Sequence, residues 1–171
     1  MVKAMKIIVI GLGSMGKRRI KLIKKIEPQA EIIGLDSRSD RRFDAEESFD
    51  IKTYSSLNEV FDKNIKIAFI CTSPLSHYEL IKECLSREYD VFTEINLHNE
   101  WYDEIIEIAK KHDRIVYISS TQQFKNEIKK VGQIIGESVK NNYIYHVGQY
   151  LPDWHPWEKY NEYFYATCRR Y

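Results

Sequence analysis

The sequence predicts an α/β fold in which a doubly wound parallel sheet carries helices on both faces. Short apolar runs alternate with amphipathic runs along residues 1–136 of the 171-residue chain. The apolar runs are continuous, as is typical of strands buried on both faces. A glycine-rich stretch, IVIGLGSMG, joins the first apolar run to the first amphipathic run. Strands that alternate with helices pair in parallel, because each helix returns the chain to the same end of the sheet.

Six strand–helix units follow one another. The predicted strands are KIIVIG, EIIGLD, IKTY, IKIAFICT, YDVFTE and RIVYIS. A first helix is predicted over residues 14–26, and further helices in DRRFDAEESF, SLNEVFDK, SHYELIKECLSREY, NEWYDEIIEIAKKH and FKNEIKKVGQIIG. Ser56 with Glu59 and Ser76 with Glu79 have the spacing of capping boxes, which predicts the starts of two of these helices.

The pattern changes at residue 137. ESVKNNYIYHVGQY alternates with period two, and the run that follows it is dense in Trp and Tyr. We interpret residues 1–136 as one domain and residues 137–171 as the linker and first strand of an incomplete second domain. A long aromatic strand without a cover is an edge that pairs with another chain. We therefore expect a homo-oligomer formed through residues 137–171.

Composition narrows the class of protein. The formal net charge of +1 gives no global field for nucleic acid or an anionic membrane. No apolar run approaches the roughly eighteen residues of a transmembrane helix. The three cysteines are widely spaced, which argues against a disulfide framework or a zinc site and is typical of a reducing compartment. We expect a cytoplasmic protein with no metal, nucleic-acid partner or membrane partner.

The glycine-rich stretch has the spacing of a dinucleotide-binding loop. Gly11, Gly13 and Gly16 match G-x-G-x-x-G between a predicted strand and a predicted helix, the context that this Rossmann motif requires. The first glycine allows a tight turn, the second lets the backbone approach a pyrophosphate, and the third lets the helix pack close to the strand. The helix N-terminus favours phosphate, which places Ser14 and Met15 in the site as well.

An acid at the end of the second strand supports the same site. Asp36 ends EIIGLD, where a carboxylate accepts hydrogen bonds from the adenosine ribose. Its charge repels a 2′-phosphate and so favours NAD. Ser37, Arg38, Arg41 and Arg42 could instead receive that phosphate with the carboxylate turned aside, which leaves NADP as an alternative.

Two motifs follow the fourth and fifth strands, ICTSPLSHYE and VFTEINLH. With them the chain resembles the Gfo/Idh/MocA family of glucose–fructose oxidoreductase and inositol dehydrogenase-like proteins. GQYLPDWHPWEKYNEYFYA is similar to the branch found with surface-polysaccharide and nucleotide-sugar genes. The resemblance implies an NAD(P)-binding Rossmann domain and hydride transfer at a CH–OH group of a sugar or nucleotide sugar.

The resemblance also implies roles for residues at these two strand ends. Cys71, Thr72 and Ser73 would line the ribose and phosphate side of the cofactor. His77 would lie near the nicotinamide ribose, although a histidine bonded locally at a helix start fits equally. Glu94 would contact the nicotinamide end, with a cap on the next helix as the alternative.

The family pattern breaks after the fifth strand. Ile95 replaces the lysine of Glu-Lys-Pro, and Asn96 replaces the proline. Ile95 would still line the cofactor, but it can neither donate a proton nor carry charge, and such general acid–base help is worth about 10²–10⁴-fold in rate. The family's Asp/His segment in the substrate domain has no counterpart before Tyr171. We assign no catalytic residue and expect impaired or no independent activity. A non-enzymatic NAD(P)-binding sensor or partner subunit is the alternative.

Overall fold

The computed structural model describes residues 4–61, 64–94, 101–135 and 140. The strands are β1 (Lys6–Ile10), β2 (Glu31–Leu35), β3 (Lys52–Tyr54), β4 (Ile65–Ile70), β5 (Asp90–Thr93) and β6 (Val116–Ile118). The helices are α1 (Ser14–Ile26), α2 (Ser39–Phe49), α3 (His77–Ser86), α4 (Tyr102–His112) and α5 (Asn126–Ile134). Among these residues, no helix is both long and apolar enough to cross a bilayer.

The six strands form one parallel sheet in the order β3-β2-β1-β4-β5-β6. The chain winds outward from β1 to β3, returns to the centre at β4 and then winds the other way. The order therefore reverses between β1 and β4, and ligands of such sheets bind at the carboxyl ends of the strands beside this point. The predicted fold class is confirmed.

The core lies in two layers, one on each face of the sheet. Ile7 and Val9 of β1 pack with residues of α1 and α2, whereas Ile8 and Ile10 pack in the layer that includes buried residues of α3 and α4. All four side chains are buried, because successive residues of a strand point to opposite faces and both faces are covered. This explains why the strand is an uninterrupted apolar run.

The first predicted capping box does not form. The segment after β3 is a single 3-10 turn, Leu57–Glu59, and not an α-helix. Its N-cap residue, Ser56, makes no side-chain capping bond, while Glu59 accepts hydrogen bonds from the backbone N–H and the hydroxyl of Ser55. The carboxylate therefore closes the turn one residue earlier than the spacing predicts.

The second predicted capping box is also wrong. A 3-10 turn, Pro74–Ser76, precedes α3, so the backbone at Ser76 is already helical and its hydroxyl makes no capping bond. That hydroxyl lies 2.7 Å from Thr72 Oγ1 and 2.9 Å from the carbonyl oxygen of Ser73. Ser76 thus braces the loop that leaves β4 instead of capping the helix that follows.

The chain divides into two compact units, Met1–Ser119 and Ser120–Tyr171. The sheet belongs to the first unit, and the described part of the second contains a 3-10 turn, Thr121–Phe124, and α5. Apart from residue 140, the predicted second domain and oligomer surface at residues 137–171 lie outside the described residues. The predicted boundary after residue 136 stays a prediction.

Candidate functional site

The glycine-rich loop connects β1 directly to α1, and two of its glycines are required by packing. Gly11 has a φ of +93°, and a Cβ there would lie 2.7 Å from the carbonyl oxygen of Cys71. A Cβ on Gly16 would lie 1.8 Å from the carbonyl oxygen of Gly11. Both obstacles are backbone atoms, which cannot move aside as a side chain could. The predicted turn at Gly11 and the predicted close packing at Gly16 are confirmed.

Gly13 has no such packing reason. A Cβ there would meet only the guanidinium of Arg41, at 3.6 Å, and φ is an ordinary −70°. Gly13 is the N-cap of α1, with no side-chain capping bond and no acid in the first turn, and Ser14 and Met15 are exposed. The first amide groups of α1 are thus available to an anion. The structure fits a close approach of phosphate at Gly13, which stays a prediction.

Asp36 fastens the end of β2 to the glycine-rich loop. Its carboxylate is only 6% exposed; Oδ2 accepts a hydrogen bond from the backbone N–H of Leu12 at 2.8 Å, and Oδ1 accepts one from that of Arg38 at 3.0 Å. The Leu12 side chain is fully buried, and a Cβ on Gly34 would lie 3.1 Å from it. The Leu12–Gly34 contact was not predicted, although a glycine inside the apolar strand EIIGL signals a close approach.

The three nearby arginines differ in how firmly they are held. Arg38 donates to the Asp40 carboxylate at 3.1 and 2.6 Å, and both side chains are exposed. Arg42 Nη1 donates to the backbone carbonyl of Asp36 at 2.8 Å, and Arg41 Nη1 lies 3.4 Å from Asp36 Oδ2. The arginines therefore surround Asp36 without displacing its carboxylate. Ser37 is exposed beside them.

The residues after β4 line the same edge of the sheet. The Cys71 N–H donates to the carbonyl oxygen of Ile10 at 2.7 Å, which continues the β1–β4 pairing. Burial, and secondarily the Glu94 carboxylate, raises the pKa of the Cys71 thiol to about 12, so the thiol is neutral. Thr72 is partly exposed and Ser73 is exposed. This strand end offers hydroxyl and backbone groups rather than a nucleophile.

His77 is buried completely at the start of α3. Its Nε2 lies 3.1 Å from the carbonyl oxygen of Thr72, and its Nδ1 lies 3.4 Å from Thr93 Oγ1. A carbonyl only accepts, so Nε2 carries the proton and Nδ1 accepts the longer bond from the Thr93 hydroxyl. Burial lowers the pKa of His77, which favours the neutral ring. These contacts describe the locally bonded histidine; contact with the cofactor stays a prediction.

Glu94 follows β5 and is held by a residue of α1. Its Oε1 accepts hydrogen bonds from Arg19 Nε, at 3.1 Å, and from Arg19 Nη2. The Arg19 guanidinium also lies over the ring of Phe92, 4.9 Å from its centroid. The role of Arg19 was not predicted, and its signal, a basic residue one turn into the helix after the glycine-rich loop, is weak. Ile95 lies outside the described residues.

These side chains and backbone groups come together because parallel strands end at one edge. The glycine-rich loop follows β1, Asp36 follows β2, Cys71 follows β4 and Glu94 follows β5. They flank the point where the strand order reverses. Within the described ranges, no three His, Cys, Asp or Glu side chains gather as metal ligands would. The fold and this edge define a dinucleotide-binding Rossmann domain.

Comparison with known families agrees with this class and makes it specific. Residues 5–120 match the Gfo/Idh/MocA model, described as an oxidoreductase family with an NAD-binding Rossmann fold. The chain belongs to this family, as its motifs indicated. NAD is therefore the cofactor of the family, and its contact with the glycine-rich loop and Asp36 stays a prediction.

Related proteins are longer than this chain. A myo-inositol 2-dehydrogenase of Thermotoga maritima is 31% identical over 144 residues, which cover 82% of this chain and 42% of that protein. A probable dehydrogenase of Thermotoga maritima matches in structure with a TM-score of 0.67 at 29% identity, over 75% of this chain and 40% of that one. The WlbA dehydrogenase of Bordetella pertussis, solved with NADH and UDP-GlcNAcA, has a TM-score of 0.70 at 16% identity, over 77% of this chain and 42% of that one. At that identity the likeness shows the fold alone. The chain spans less than half the length of each.

Proposed function

We propose that this chain is the cofactor-binding part of an oxidoreductase that acts on a CH–OH group of a sugar or nucleotide sugar. The observation that supports it best is the convergence of the glycine-rich loop, Asp36 and Glu94 on one edge of the sheet. NAD, when bound, exchanges a hydride with the reacting carbon, and the protein supplies binding and orientation. The similarity to a myo-inositol 2-dehydrogenase favours a polyhydroxylated substrate.

Each strand end has a separate task in this proposal. The open amide groups at the start of α1 bind the diphosphate, and Gly13 leaves room for it. Asp36 accepts from ribose hydroxyls, because Oδ1 receives a single hydrogen bond from the described residues and keeps a lone pair free. Glu94 accepts from the nicotinamide end.

The setting of Asp36 favours NAD over NADP. Turning its carboxylate aside would break its bonds to the N–H groups of Leu12 and Arg38, and the Leu12 N–H is buried. Such an orphaned buried donor costs about 1–3 kcal/mol. Two of the arginines that could receive a 2′-phosphate, Arg38 and Arg42, are already engaged by a carboxylate and by backbone carbonyls. The carboxylate therefore stays in place and repels the extra phosphate.

We propose further that the chain turns over poorly or not at all without additional residues. Among the described side chains at the strand ends, His77 is buried and bonded at both ring nitrogens, and Glu94 is paired with Arg19. The Cys71 thiol has a pKa of about 12. His77 and Cys71 are therefore not ready general acids or bases near neutral pH, and Ile95 stands where the family has lysine. The same observations also favour a second candidate, a non-enzymatic NAD-binding module.

Calorimetric titration tests the proposal. The wild-type chain should saturate with NAD and NADH and should bind NADP at least about tenfold more weakly. The reason is that the 2′-phosphate of NADP would be partly buried beside the negative charge of Asp36. Asp36→Ala should lower the affinity for NAD about tenfold, because a charged hydrogen bond is lost. The difference between the affinities for NAD and NADP should therefore become smaller. The matched control, Asp103→Ala, removes an exposed carboxylate in the first turn of α4 and should change neither affinity.

The outcomes separate the parts of the proposal. Failure to saturate with either dinucleotide would contradict cofactor binding. Equal affinity for NAD and NADP would overturn the role of Asp36. Turnover of a sugar or nucleotide sugar by this chain, followed by NADH absorbance, would support the oxidoreductase and overturn both the expected inactivity and the non-enzymatic module.

A further inference from the structure

We propose that Arg19 is a positioning residue that fixes the Glu94 carboxylate for the nicotinamide end of bound NAD. The inference rests on the proposed placement of Glu94 beside the nicotinamide and extends it to a residue on a different element. Arg19 lies one turn into α1, while Glu94 follows β5, so the pair ties the helix after the glycine-rich loop to the far half of the site.

The pair is largely shielded from water. The side chain of Arg19 is 15% exposed and that of Glu94 is 24% exposed. An exposed ion pair contributes little because water screens it and two long side chains must be ordered. At this exposure the screening is weaker, and a carboxylate deprived of its partner would lose a favourable contact that water replaces only in part.

Aromatic rings hold the Arg19 guanidinium in place. Its central carbon lies 4.9 Å from the centroid of the Phe92 ring, within the range of a cation–π contact. Phe92 stacks on Phe69 of β4, at 4.8 Å between centroids, and on Tyr117 of β6, at 5.4 Å. The rings are register partners on adjacent strands, so the sheet itself supports the guanidinium. Arg19 therefore approaches Glu94 from a fixed position.

The hydrogen bonds use one carboxylate oxygen and leave the other open. Both Arg19 donors, Nε and Nη2, reach Glu94 Oε1. No donor from the described part of the chain bonds to Oε2. A carboxylate fixed through one oxygen has a set orientation, and its other oxygen can accept from a hydroxyl or an amide N–H. The guanidinium also offsets the Glu94 charge, which would otherwise oppose the diphosphate of the same ligand.

The test compares NAD with ADP-ribose, which has the same adenosine and diphosphate but no nicotinamide. Arg19→Gln and Glu94→Gln should each weaken NAD about tenfold, as expected for a charged hydrogen bond, and should leave ADP-ribose within about twofold. The double variant should bind NAD no more weakly than Glu94→Gln alone, because Arg19 acts through Glu94. Arg19→Lys keeps the charge without the planar fork and should recover part of the loss. Arg18→Gln removes an exposed arginine from the same helix and serves as the matched control.

Each result bears on one claim. If Glu94→Gln lowers the affinity for NAD but not for ADP-ribose, and Arg19→Gln does not, the role of Arg19 is overturned and the proposed function stays intact. Loss of NAD and ADP-ribose to the same degree in Arg19→Gln would show a structural role and would also overturn it. If Glu94→Gln lowers the affinities for NAD and ADP-ribose equally, the placement of Glu94 at the nicotinamide end is contradicted. Should Arg19→Gln fail to fold in thermal unfolding, Arg19→Lys decides: binding of both ligands as in wild type would overturn the inference.

Discussion

The two halves of the strand-end edge are built in different ways. At β1 and β2, backbone atoms set the geometry: Gly16 packs against the carbonyl of Gly11, and Asp36 binds the N–H of Leu12. At β4 and β5, side chains from separate elements set it, as in the contact of Arg19 with Glu94. The first half depends on residue types at fixed spacing, whereas the second depends on where distant elements pack. Substitutions should therefore affect the halves differently.

The largest effect is expected in the backbone-built half, at Gly16. Gly16→Ala places a Cβ 1.8 Å from a backbone oxygen, so α1 must shift away from β1. Overpacking of this kind costs about 3 kcal/mol or more when the obstacle cannot move. We expect Gly16→Ala to lower the free energy of unfolding in urea by that amount and to abolish NAD binding in calorimetric titration.

Gly13→Ala should separate ligand clearance from packing. Its Cβ meets only the flexible end of Arg41, so the free energy of unfolding should stay within about 0.5 kcal/mol while NAD binds at least about tenfold more weakly. Gly132→Ala in α5, where nothing lies within 4 Å, should gain roughly 0.5–1 kcal/mol from helix propensity and leave NAD binding unchanged. Wild-type NAD affinity in Gly13→Ala would show that this glycine does not face the ligand.

The backbone-built half was predicted from sequence because each of its parts has a local cause. The spacing of Gly11, Gly13 and Gly16 between a strand and a helix predicted the loop, and α1 spans Ser14–Ile26 as expected. Asp36 was predicted by its place at the end of β2. The family resemblance was predicted from the motifs that follow the fourth and fifth strands, and it is confirmed.

The side-chain-built half was predicted only as a set of positions. Thr93 contacts His77 across 16 residues, and Arg19 contacts Glu94 across 75. These partners become neighbours only once β5 lies beside β4 and α1 covers that face, which no local spacing indicates. The capping boxes were wrong for a different, local reason. Ser76, the serine of the second box, bonds Thr72 four residues earlier in the loop after β4.

The next effect in size concerns Asp36 and the stability of the loop. Asp36→Ala leaves the buried Leu12 N–H without a partner and should cost about 1–3 kcal/mol of unfolding free energy. Asp36→Asn should be little better, because both carboxylate oxygens accept from backbone N–H groups and an amide offers one acceptor. Urea unfolding measures both, with Asp103→Ala as the exposed control. Full stability in Asp36→Asn would show that one of the two bonds is dispensable.

A smaller effect, specific to the side-chain-built half, should appear as a pH dependence of the free energy of unfolding. Burial lowers the pKa of His77, so below its ordinary value of 6.5 the unfolded chain takes up a proton that the native chain refuses. Stability from this group is therefore present above that pH and is lost as the pH falls, by at most about 1.4 kcal/mol per pH unit for one proton. Urea unfolding between pH 5 and 8 should show this slope, and His77→Gln should reduce it.

The smallest effect should be in the reactivity of two thiols, that of the half-buried Cys71 and that of the buried Cys84. The pKa of Cys71 and that of Cys84 are both raised to about 12 by burial, so at pH 8 about one thiol in ten thousand is ionised. Cys71 lies at the β4 strand end, where the Glu94 carboxylate also raises its pKa, whereas Cys84 is a buried residue of α3 in the core. Labelling by iodoacetamide, followed by peptide mass spectrometry, should be slow at both. Glu94→Gln should speed labelling of Cys71 a few-fold and leave Cys84 unchanged, while saturating NAD should slow Cys71 alone. Equal responses of the two thiols would place Cys71 outside the cofactor's reach and restrict the binding edge to the backbone-built half.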